Sequence, residues 1–202
     1  MSVVSMLGGR DLPDDVVRAW AASATALYAA DSGADRLLTL GFRPTVVGDM
    51  DSFKGLREGL RVVEDSDQET SDLDKLLALV KADGHPRLVV LGLEGDRLDH
   101  VLSGIQSLGQ DALEVLLVLR RGLGFFVKES HPFKWDGDVG ARCSVIPLRM
   151  SRLTMSGVRW PLEEAARGSL SNVVDPGPLL VSVSGTPVLL TIERDPMRVI
   201  PW

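Results

Sequence analysis

Two aspartates separated by a single residue stand at the end of a short apolar run in the segment VVGDMDS, residues 46–52. Gly48 allows the chain to turn after the predicted strand, and Asp49 suits such a turn. A turn requires at most one aspartate, so Asp51 needs another explanation. Because Mg²⁺ prefers carboxylate and phosphate oxygens as ligands, the pair could form part of a magnesium site.

Acidic residues follow several other predicted strands in the same way. They are Asp31, Glu64, Asp65, Glu94 and Asp96. If the strands are parallel, these side chains gather at the carboxyl edge of the sheet, where open α/β folds bind ligands. Crowded carboxylates raise one another's pKa values unless a cation lies among them. The joint pattern therefore favours a metal site, although each aspartate alone is explained by a turn or a helix cap.

Two further segments carry groups suited to phosphate. SDQETSDLDK, residues 66–75, has Asp72 in the first turn of a predicted helix and Lys75 three residues later. LEGDRLDH, residues 93–100, has Arg97 followed by Asp99 and His100 at the start of another helix. Taken alone, the first segment reads as a capped helix start with an ion pair. For the second, a cap at Asp96 and a phosphate site are equally supported.

The first 120 or so residues alternate β-rich runs with helical periodicity, which predicts a parallel sheet covered by helices. The predicted strands cover residues 3–7, 26–30, 45–47, 61–63, 87–91 and 115–119. Helices are expected near Pro13, with Asp11 as a possible cap, after Ser71, and from about Arg97. In the last helix, an apolar stripe is expected to be buried: Leu98, Val101, Leu102, Ile105 and Leu108.

After about residue 122 the helical pattern fades, and short strands separated by Gly, Pro and Ser are expected. They are FFVKE, CSVIPL, LLVSVSG and PVLLTIE, the last two joined as a hairpin through SGTP. We therefore predict an α/β fold, with an N-terminal three-layer, Rossmann-like parallel-sheet domain (residues 1–123) and a C-terminal all-β sandwich domain (residues 124–202).

Composition excludes several classes of function. A formal charge of −6 and a pI near 5.1 argue against a nucleic-acid-binding surface. The single cysteine, Cys143, excludes an internal disulfide, and the first apolar run is too short for a signal or membrane span. We expect a cytoplasmic protein without membrane or nucleic-acid partners. Walker-type and dinucleotide-binding glycine motifs are absent, so phosphate chemistry would depend on carboxylates and Mg²⁺.

The segments GDMDS, DQETSDLDK and GDRLDH, in this order, resemble the marks of the thiamine pyrophosphokinase family. ADSGADRLL, beginning at Ala30, is similar to an upstream family segment. SVIPL, SGVRWPL and SLSN are similar to its C-terminal marks, so that the resemblance covers about residues 29–172. It implies an α/β domain followed by a β-sandwich in a homodimer. Each active site would lie between the α/β domain of one subunit and the β domain of the other.

The resemblance implies transfer of a pyrophosphoryl group from ATP to the hydroxyethyl oxygen of thiamine, giving thiamine diphosphate and AMP. It assigns Mg²⁺ to Asp49, Asp51 and Asp72. It assigns ATP and its phosphates to Asp31, Gly33, Ser52, Gln68, Lys75, Arg97 and His100. Thiamine would contact Ser156, Trp160, Ser171 and Asn172. Asp51, Asp72 and Asp99 are the three candidate catalytic groups for accepting the substrate proton.

Five positions depart from the family pattern: Ser32, Asp35, Ser71, Asp96 and Gly104. Asp96 puts a negative charge beside the phosphate-binding Arg97, and Gly104 occupies a helical position where the family tends to carry Asn. Two alternative functions follow. One is a related pyrophosphokinase acting on another hydroxymethyl substrate, such as a pterin, and the other is a non-catalytic module that binds nucleotide or thiamine.

Overall fold

A computed structural model describes residues 2–95 and 97–202. The chain divides into two compact units. The first contains the residues up to Arg120 together with Pro196–Trp202, and the second is Arg121–Asp195. In the first unit, the Trp20 indole N–H donates to the Pro196 carbonyl at 2.8 Å, which joins the C-terminal segment to the first helix. The predicted catalytic and thiamine-binding domains, residues 1–123 and 124–202, stay a prediction.

The first unit contains six strands whose neighbouring pairs are all parallel, in the order β6-β5-β1-β2-β3-β4. Their bounds are β1 Ser2–Met6, β2 Ala24–Ala30, β3 Thr45–Gly48, β4 Val62–Glu64, β5 Arg87–Leu91 and β6 Glu114–Leu119. The six strands predicted from sequence are thus all present. The central strand β1 is buried along its length, as expected for a strand with parallel neighbours on both sides. The result is a mixed α/β fold with a large sheet.

Four helices lie between these strands: α1 Asp14–Ala22, α2 Gly33–Thr39, α3 Asp72–Ala82 and α4 Leu98–Gln110. The α3 helix begins with the predicted capping box, in which Ser71 and Asp74 exchange hydrogen bonds. The predicted Asp11 cap of α1 is wrong, because Pro13 occupies the cap position without a side-chain bond. The α2 helix was not predicted, since its seven residues are too few to establish a helical period.

The prediction that the apolar stripe of α4 is buried is wrong for Leu98 and Leu102, which are 72% and 58% exposed. The face that α4 buries includes Leu108, as predicted, together with Gly104, which was not part of the predicted stripe. A Cβ atom at Gly104 would lie 2.9 Å from the Leu93 side chain. The absence of a side chain at Gly104 lets this face approach its neighbours, while Leu98 and Leu102 stay exposed.

The second unit contains eight strands in two antiparallel sheets, with the orders β12-β9-β14-β7 and β11-β10-β13-β8. Their bounds are β7 Gly122–Val127, β8 Phe133–Trp135, β9 Arg142–Pro147, β10 Ser151–Ser156, β11 Leu162–Ala165, β12 Ser169–Val173, β13 Leu179–Gly185 and β14 Val188–Glu193. Phe125 of β7 packs against Phe133 and Trp135 of β8, with ring centroids 4.7 and 5.5 Å apart. Side chains of the two sheets thus share a core.

The predicted hairpin of β13 and β14 is wrong. These strands belong to different sheets, because β13 pairs with β10 and β8, whereas β14 pairs with β7 and β9. Gly185, with φ of 101°, ends β13 in a conformation that redirects the chain into the other sheet. A tight turn in the sequence indicated a change of direction but could not identify the partner strands.

A hydrogen-bonded cluster joins β2 to the end of α3. The Tyr28 hydroxyl donates to Asp83 Oδ2 at 2.7 Å, and the Arg61 guanidinium donates to both oxygens of Asp83 at 2.6 and 3.0 Å. The bonds from Arg61 and Tyr28 lower the pKa of Asp83 from 3.8 to about 2. Burial and the neighbouring Asp83 raise the pKa of Tyr28 to about 12, so the phenol stays protonated at neutral pH.

We expect Asp83→Asn to lower the free energy of unfolding at neutral pH, because the neutral amide replaces the ionised acceptor of two donors. A carboxylate with a depressed pKa stabilises the fold above its unfolded pKa, and this contribution disappears as pH falls through the folded pKa. The difference between wild type and variant should therefore shrink between about pH 4 and pH 2. Urea unfolding across this range measures it. A constant difference, or one matched by the exposed control Asp15→Asn, would contradict the assignment.

Within the described residues, no helix is long and apolar enough to cross a membrane.

Candidate functional site

A cavity of about 550 Å³ opens at the carboxyl ends of the parallel strands in the first unit. Its walls come from the segments after β1, β2, β3 and β5 and from the starts of α3 and α4. The cavity brings together seven side chains predicted from sequence to form the site: Asp31, Asp49, Ser52, Gln68, Asp72, Lys75 and His100. Thr70 and Ser103 also line it, without having been predicted. For Ser103, the available signal was its place on the polar face that also includes Asp99.

Three carboxylates at this edge could hold one metal ion. Asp31, Asp49 and Asp51 each offer an oxygen within 4.8 Å of the other two. Asp31 follows β2 and the other two follow β3, so the pairing of parallel strands brings them together. Gly48 and Met50 have φ values of 148° and 63°, and this backbone path turns the chain sharply between the aspartates. A Cβ atom at Gly48 would lie 3.1 Å from Asp72 Oδ1, a position that favours glycine.

Asp31 is the most buried member of this group, at 5% exposure. Its Oδ2 accepts the Ser52 backbone N–H at 3.2 Å, whereas its buried Oδ1 has no hydrogen-bond partner within the part of the chain that the structure describes. Burial raises the pKa of Asp31, as do the charges of Asp72 and Asp51, while the Ser52 bonds oppose the change. A cation would satisfy the unpaired oxygen and neutralise the cluster. The donor set, three hard carboxylates, fits a divalent metal such as Mg²⁺.

Hydrogen bonds hold the other two aspartates in place. Gln68 Nε2 donates to Asp49 Oδ2 at 3.1 Å, and the Asp51 N–H donates to Asp49 Oδ1 at 3.2 Å. These bonds, that of Gln68 first, lower the pKa of Asp49 and keep it ionised at neutral pH. The Ser52 hydroxyl donates to Asp51 Oδ1 at 2.8 Å. Gln68, predicted to bind phosphate, therefore contacts a predicted metal ligand.

Asp72 and Lys75 lie at the start of α3. Lys75 is only 6% exposed, and its ammonium donates to the Asp65 carbonyl at 2.9 Å and lies 3.5 Å from Asp72 Oδ1. Burial raises the pKa of Asp72, Lys75 opposes that change, and the charge of Asp49 adds to it. Among the described residues, the group of carboxylates within metal-binding distance contains Asp31 rather than Asp72. Asp72 lies beside that group and pairs with the buried lysine.

The remaining predicted residues of the first unit lie apart from the cavity lining. Arg97 donates to Asp99 through Nη2 at 2.6 Å and Nε at 3.2 Å, and both side chains are exposed. This contact lowers the pKa of Asp99. Gly33 begins α2 against the Met6 and Leu7 carbonyls, where a side chain would collide. Asp96 lies outside the described residues.

Three other predicted acids have structural contacts instead. The Glu64 carboxylate accepts Arg57 at 3.0 Å, the Asp65 carboxylate accepts the Asp67 backbone N–H at 3.0 Å, and the Glu94 carboxylate accepts the Arg120 backbone N–H at 2.6 Å. Their position after strands was the same signal that identified Asp31, Asp49 and Asp51. The difference arises from the direction that each loop takes after its strand, which the sequence pattern does not specify.

The second unit holds the predicted thiamine-binding residues. Trp160 is 56% exposed, and the Arg159 guanidinium lies 5.6 Å from its ring centroid. Ser156 and Ser171 are exposed, and Ser171 has φ of 55° in an irregular part of β12. Asn172, in contrast, is completely buried and hydrogen-bonds to the Trp160 backbone.

Comparison with known proteins identifies the family. A model described as "Thiamin pyrophosphokinase, catalytic domain" matches residues 17–117, which is half of the chain. No curated protein sequence matches the chain.

Solved structures resemble the fold over nearly the whole chain. Thiamine pyrophosphokinase from Bacillus subtilis is 21% identical, with a TM-score of 0.78 over 96% of this chain and 100% of that one. The enzyme from Geobacillus thermodenitrificans is 21% identical, with a TM-score of 0.77 over 96% and 98% of the two chains. Yeast thiamin pyrophosphokinase is 16% identical, with a TM-score of 0.78 over 95% and 86%. With the family match over its catalytic part and an acidic cavity at the sheet edge, the chain belongs to the thiamin pyrophosphokinase family.

Proposed function

We propose that this protein catalyses the Mg²⁺-dependent transfer of a pyrophosphoryl group from ATP to the hydroxyethyl oxygen of thiamine, with AMP as the second product. The observation that carries the proposal is the grouping of Asp31, Asp49 and Asp51 within metal-binding distance in a chain of this family, beside a cavity that the first two line. Membership of this family supports thiamine rather than a pterin as the substrate. It also supports an enzyme rather than a non-catalytic binding module.

The proposed metal ligands are Asp49 and Asp51, predicted from the sequence, together with Asp31, whose buried oxygen lacks a partner. When bound, Mg²⁺ supplies charge stabilisation and orientation for the phosphates of ATP. Lys75 would bind phosphate from inside the cavity. The Asp65 carbonyl and Asp72 orient its ammonium and engage two of the three N–H donors, which leaves one for a phosphate oxygen. Gln68, Ser52 and His100 would complete this phosphate subsite, with Arg97 at its margin.

The substrate hydroxyl must lose a proton during attack. The proposed proton acceptors are the three predicted from the sequence: Asp51, Asp72 and Asp99. Asp99 is bonded to Arg97, and its lowered pKa makes it a weaker proton acceptor in this arrangement. Burial raises the pKa of Asp72, and Asp72 lines the cavity. Both observations support Asp72 as an alternative proton acceptor.

Thiamine would stack on Trp160, with Ser156 and Ser171 nearby. The half-exposed indole can accommodate a flat ring, and aromatic faces also attract cations. A homodimer is supported by the two exposed apolar side chains of α4, Leu98 and Leu102, which a partner subunit could cover. Cytoplasmic location is a further proposal from the sequence.

The deciding assay mixes the protein with ATP, Mg²⁺ and thiamine and identifies the products by mass. We expect AMP and thiamine diphosphate in equal amounts, and no turnover when EDTA removes the metal. ADP with thiamine monophosphate would contradict pyrophosphoryl transfer. Thiamine binding without turnover would instead support the binding module, and turnover of a hydroxymethylpterin alone would support the related pyrophosphokinase.

A further inference from the structure

Asn172 lies inside the second unit, next to the segment that carries Trp160. Its side chain is fully buried, at 0% exposure. It follows an irregularity in the pairing of β12 with β9, between Ser169 and Asn172. Such an irregularity changes the direction of the side chains along a strand. Ser171 is exposed to solvent, whereas Asn172 faces the protein interior, as the alternation of side chains along a strand allows.

The side-chain amide of Asn172 makes all of its hydrogen bonds to other groups of the protein. Oδ1 accepts the backbone N–H of Trp160 at 3.1 Å and that of Val173 at 2.9 Å. Nδ2 donates to the Trp160 carbonyl at 2.7 Å and to the Ser169 hydroxyl at 3.2 Å. An asparagine amide offers two donors and one oxygen with two lone pairs. All four are occupied, so no donor or acceptor is left for a ligand.

These bonds extend a short antiparallel ladder. The Arg159 N–H donates to the Val173 carbonyl at 2.9 Å, Asp175 N–H donates to the Gly157 carbonyl at 3.0 Å, and Val158 bridges Val174. Among the described residues, no backbone hydrogen bond continues this ladder at Trp160. The Asn172 side chain takes that place and, like a peptide group, binds both the N–H and the carbonyl of Trp160.

We propose that Asn172 is a positioning residue for Trp160 rather than a direct contact of the substrate. Its amide fixes the backbone of an otherwise half-exposed tryptophan and so holds the indole where a flat ring can stack. The effect of Asn172 on thiamine rests on the proposed function, whereas its effect on Trp160 is a property of the free protein.

The first test uses hydrogen exchange in the protein without ligands. Removal of the acceptor in Asn172→Ala should make the Trp160 amide exchange about tenfold faster, because its hydrogen bond is lost. The Arg159 amide, which donates to Val173 instead, is the internal control and should keep its protection. Unchanged protection at Trp160, or equal loss at both amides, would overturn the proposal. This measurement stands even if the protein does not act on thiamine.

The second test is a double-mutant cycle on the KM for thiamine. Asn172→Ala should raise this KM about tenfold, with kcat changed less, when Trp160 is present. In the Trp160→Ala background, the same substitution should have an effect of less than about twofold, because Asn172 acts through that side chain. Equal effects in both backgrounds would indicate direct contact with thiamine and overturn the proposal.

Two variants separate positioning from folding. Ser169→Ala removes one bond to Asn172 but leaves both bonds to Trp160, so the thiamine KM should stay close to wild type. Asn172→Ser keeps a small polar group in the site but is too short to bind both the N–H and the carbonyl of Trp160, so Trp160 should lose protection and thiamine binding should fall. If Asn172→Ala does not fold, Asn172→Ser decides the question, since full protection of Trp160 in that variant contradicts the proposed geometry.

Discussion

Asp51→Asn should reduce turnover by about 10²-fold or more, since a bound metal supplies several kcal/mol of charge stabilisation and each 1.36 kcal/mol corresponds to a factor of ten. The substitution preserves shape but removes the charge from one of three carboxylates that lie within 4.8 Å of one another. A neutral amide is a poorer ligand for a hard divalent cation. The fold should persist, because Asp51 is an exposed loop residue.

The measurement is kcat for thiamine diphosphate formation at several Mg²⁺ concentrations, together with the thermal unfolding midpoint. Loss of turnover with an unchanged midpoint supports the metal assignment. Asp15→Asn is the matched control, because it removes an exposed carboxylate at the start of α1, away from the cavity. Wild-type activity and Mg²⁺ dependence in Asp51→Asn would show that the cluster does not hold the catalytic metal.

Trp160→Ala should raise the KM for thiamine about tenfold and change the KM for ATP less than about twofold, since stacking and cation–π contacts contribute on the order of 1–2 kcal/mol. The indole is half-exposed and carries Arg159 against its ring, so it already binds one cationic planar group. Its removal should affect the substrate with the aromatic rings rather than the metal-bound phosphates.

Steady-state kinetics with each substrate varied in turn separates the two effects. Trp160→Phe keeps an aromatic face and should restore most of the affinity for thiamine. An equal rise in both KM values for Trp160→Ala would contradict the stacking role. A thiamine KM that is unchanged by Trp160→Ala would place the thiamine site elsewhere.

The parallel-sheet part of the fold could be predicted from local pattern, because buried parallel strands appear as short, nearly continuous apolar runs. The orientation of α4 could not. Its apolar stripe predicted a buried face through Leu98 and Leu102, but Gly104 allows closer packing on a different side. Periodicity counts apolar residues, whereas burial also depends on how closely a helix surface can approach its neighbours.

The grouping of acidic side chains at the edge of the sheet could be predicted from the sequence only in part. Asp31, Asp49 and Asp51 follow adjacent parallel strands and lie together. Glu94 follows β5, yet its carboxylate binds the Arg120 backbone. Asn172 shows the other limit, since its amide is fully buried next to a strand irregularity that the residue types do not predict.

The return of Pro196–Trp202 to the first unit has a consequence for the order in which the protein can fold during synthesis. The second unit is formed by an uninterrupted stretch and can fold as soon as that stretch has left the ribosome. The first unit begins to form earlier but is completed after the second. Two of its hydrogen bonds need residues made later: the Trp20 indole N–H donates to the Pro196 carbonyl, and the Trp202 indole N–H donates to the Glu114 carbonyl. The first unit can therefore close only after the second unit has been synthesised.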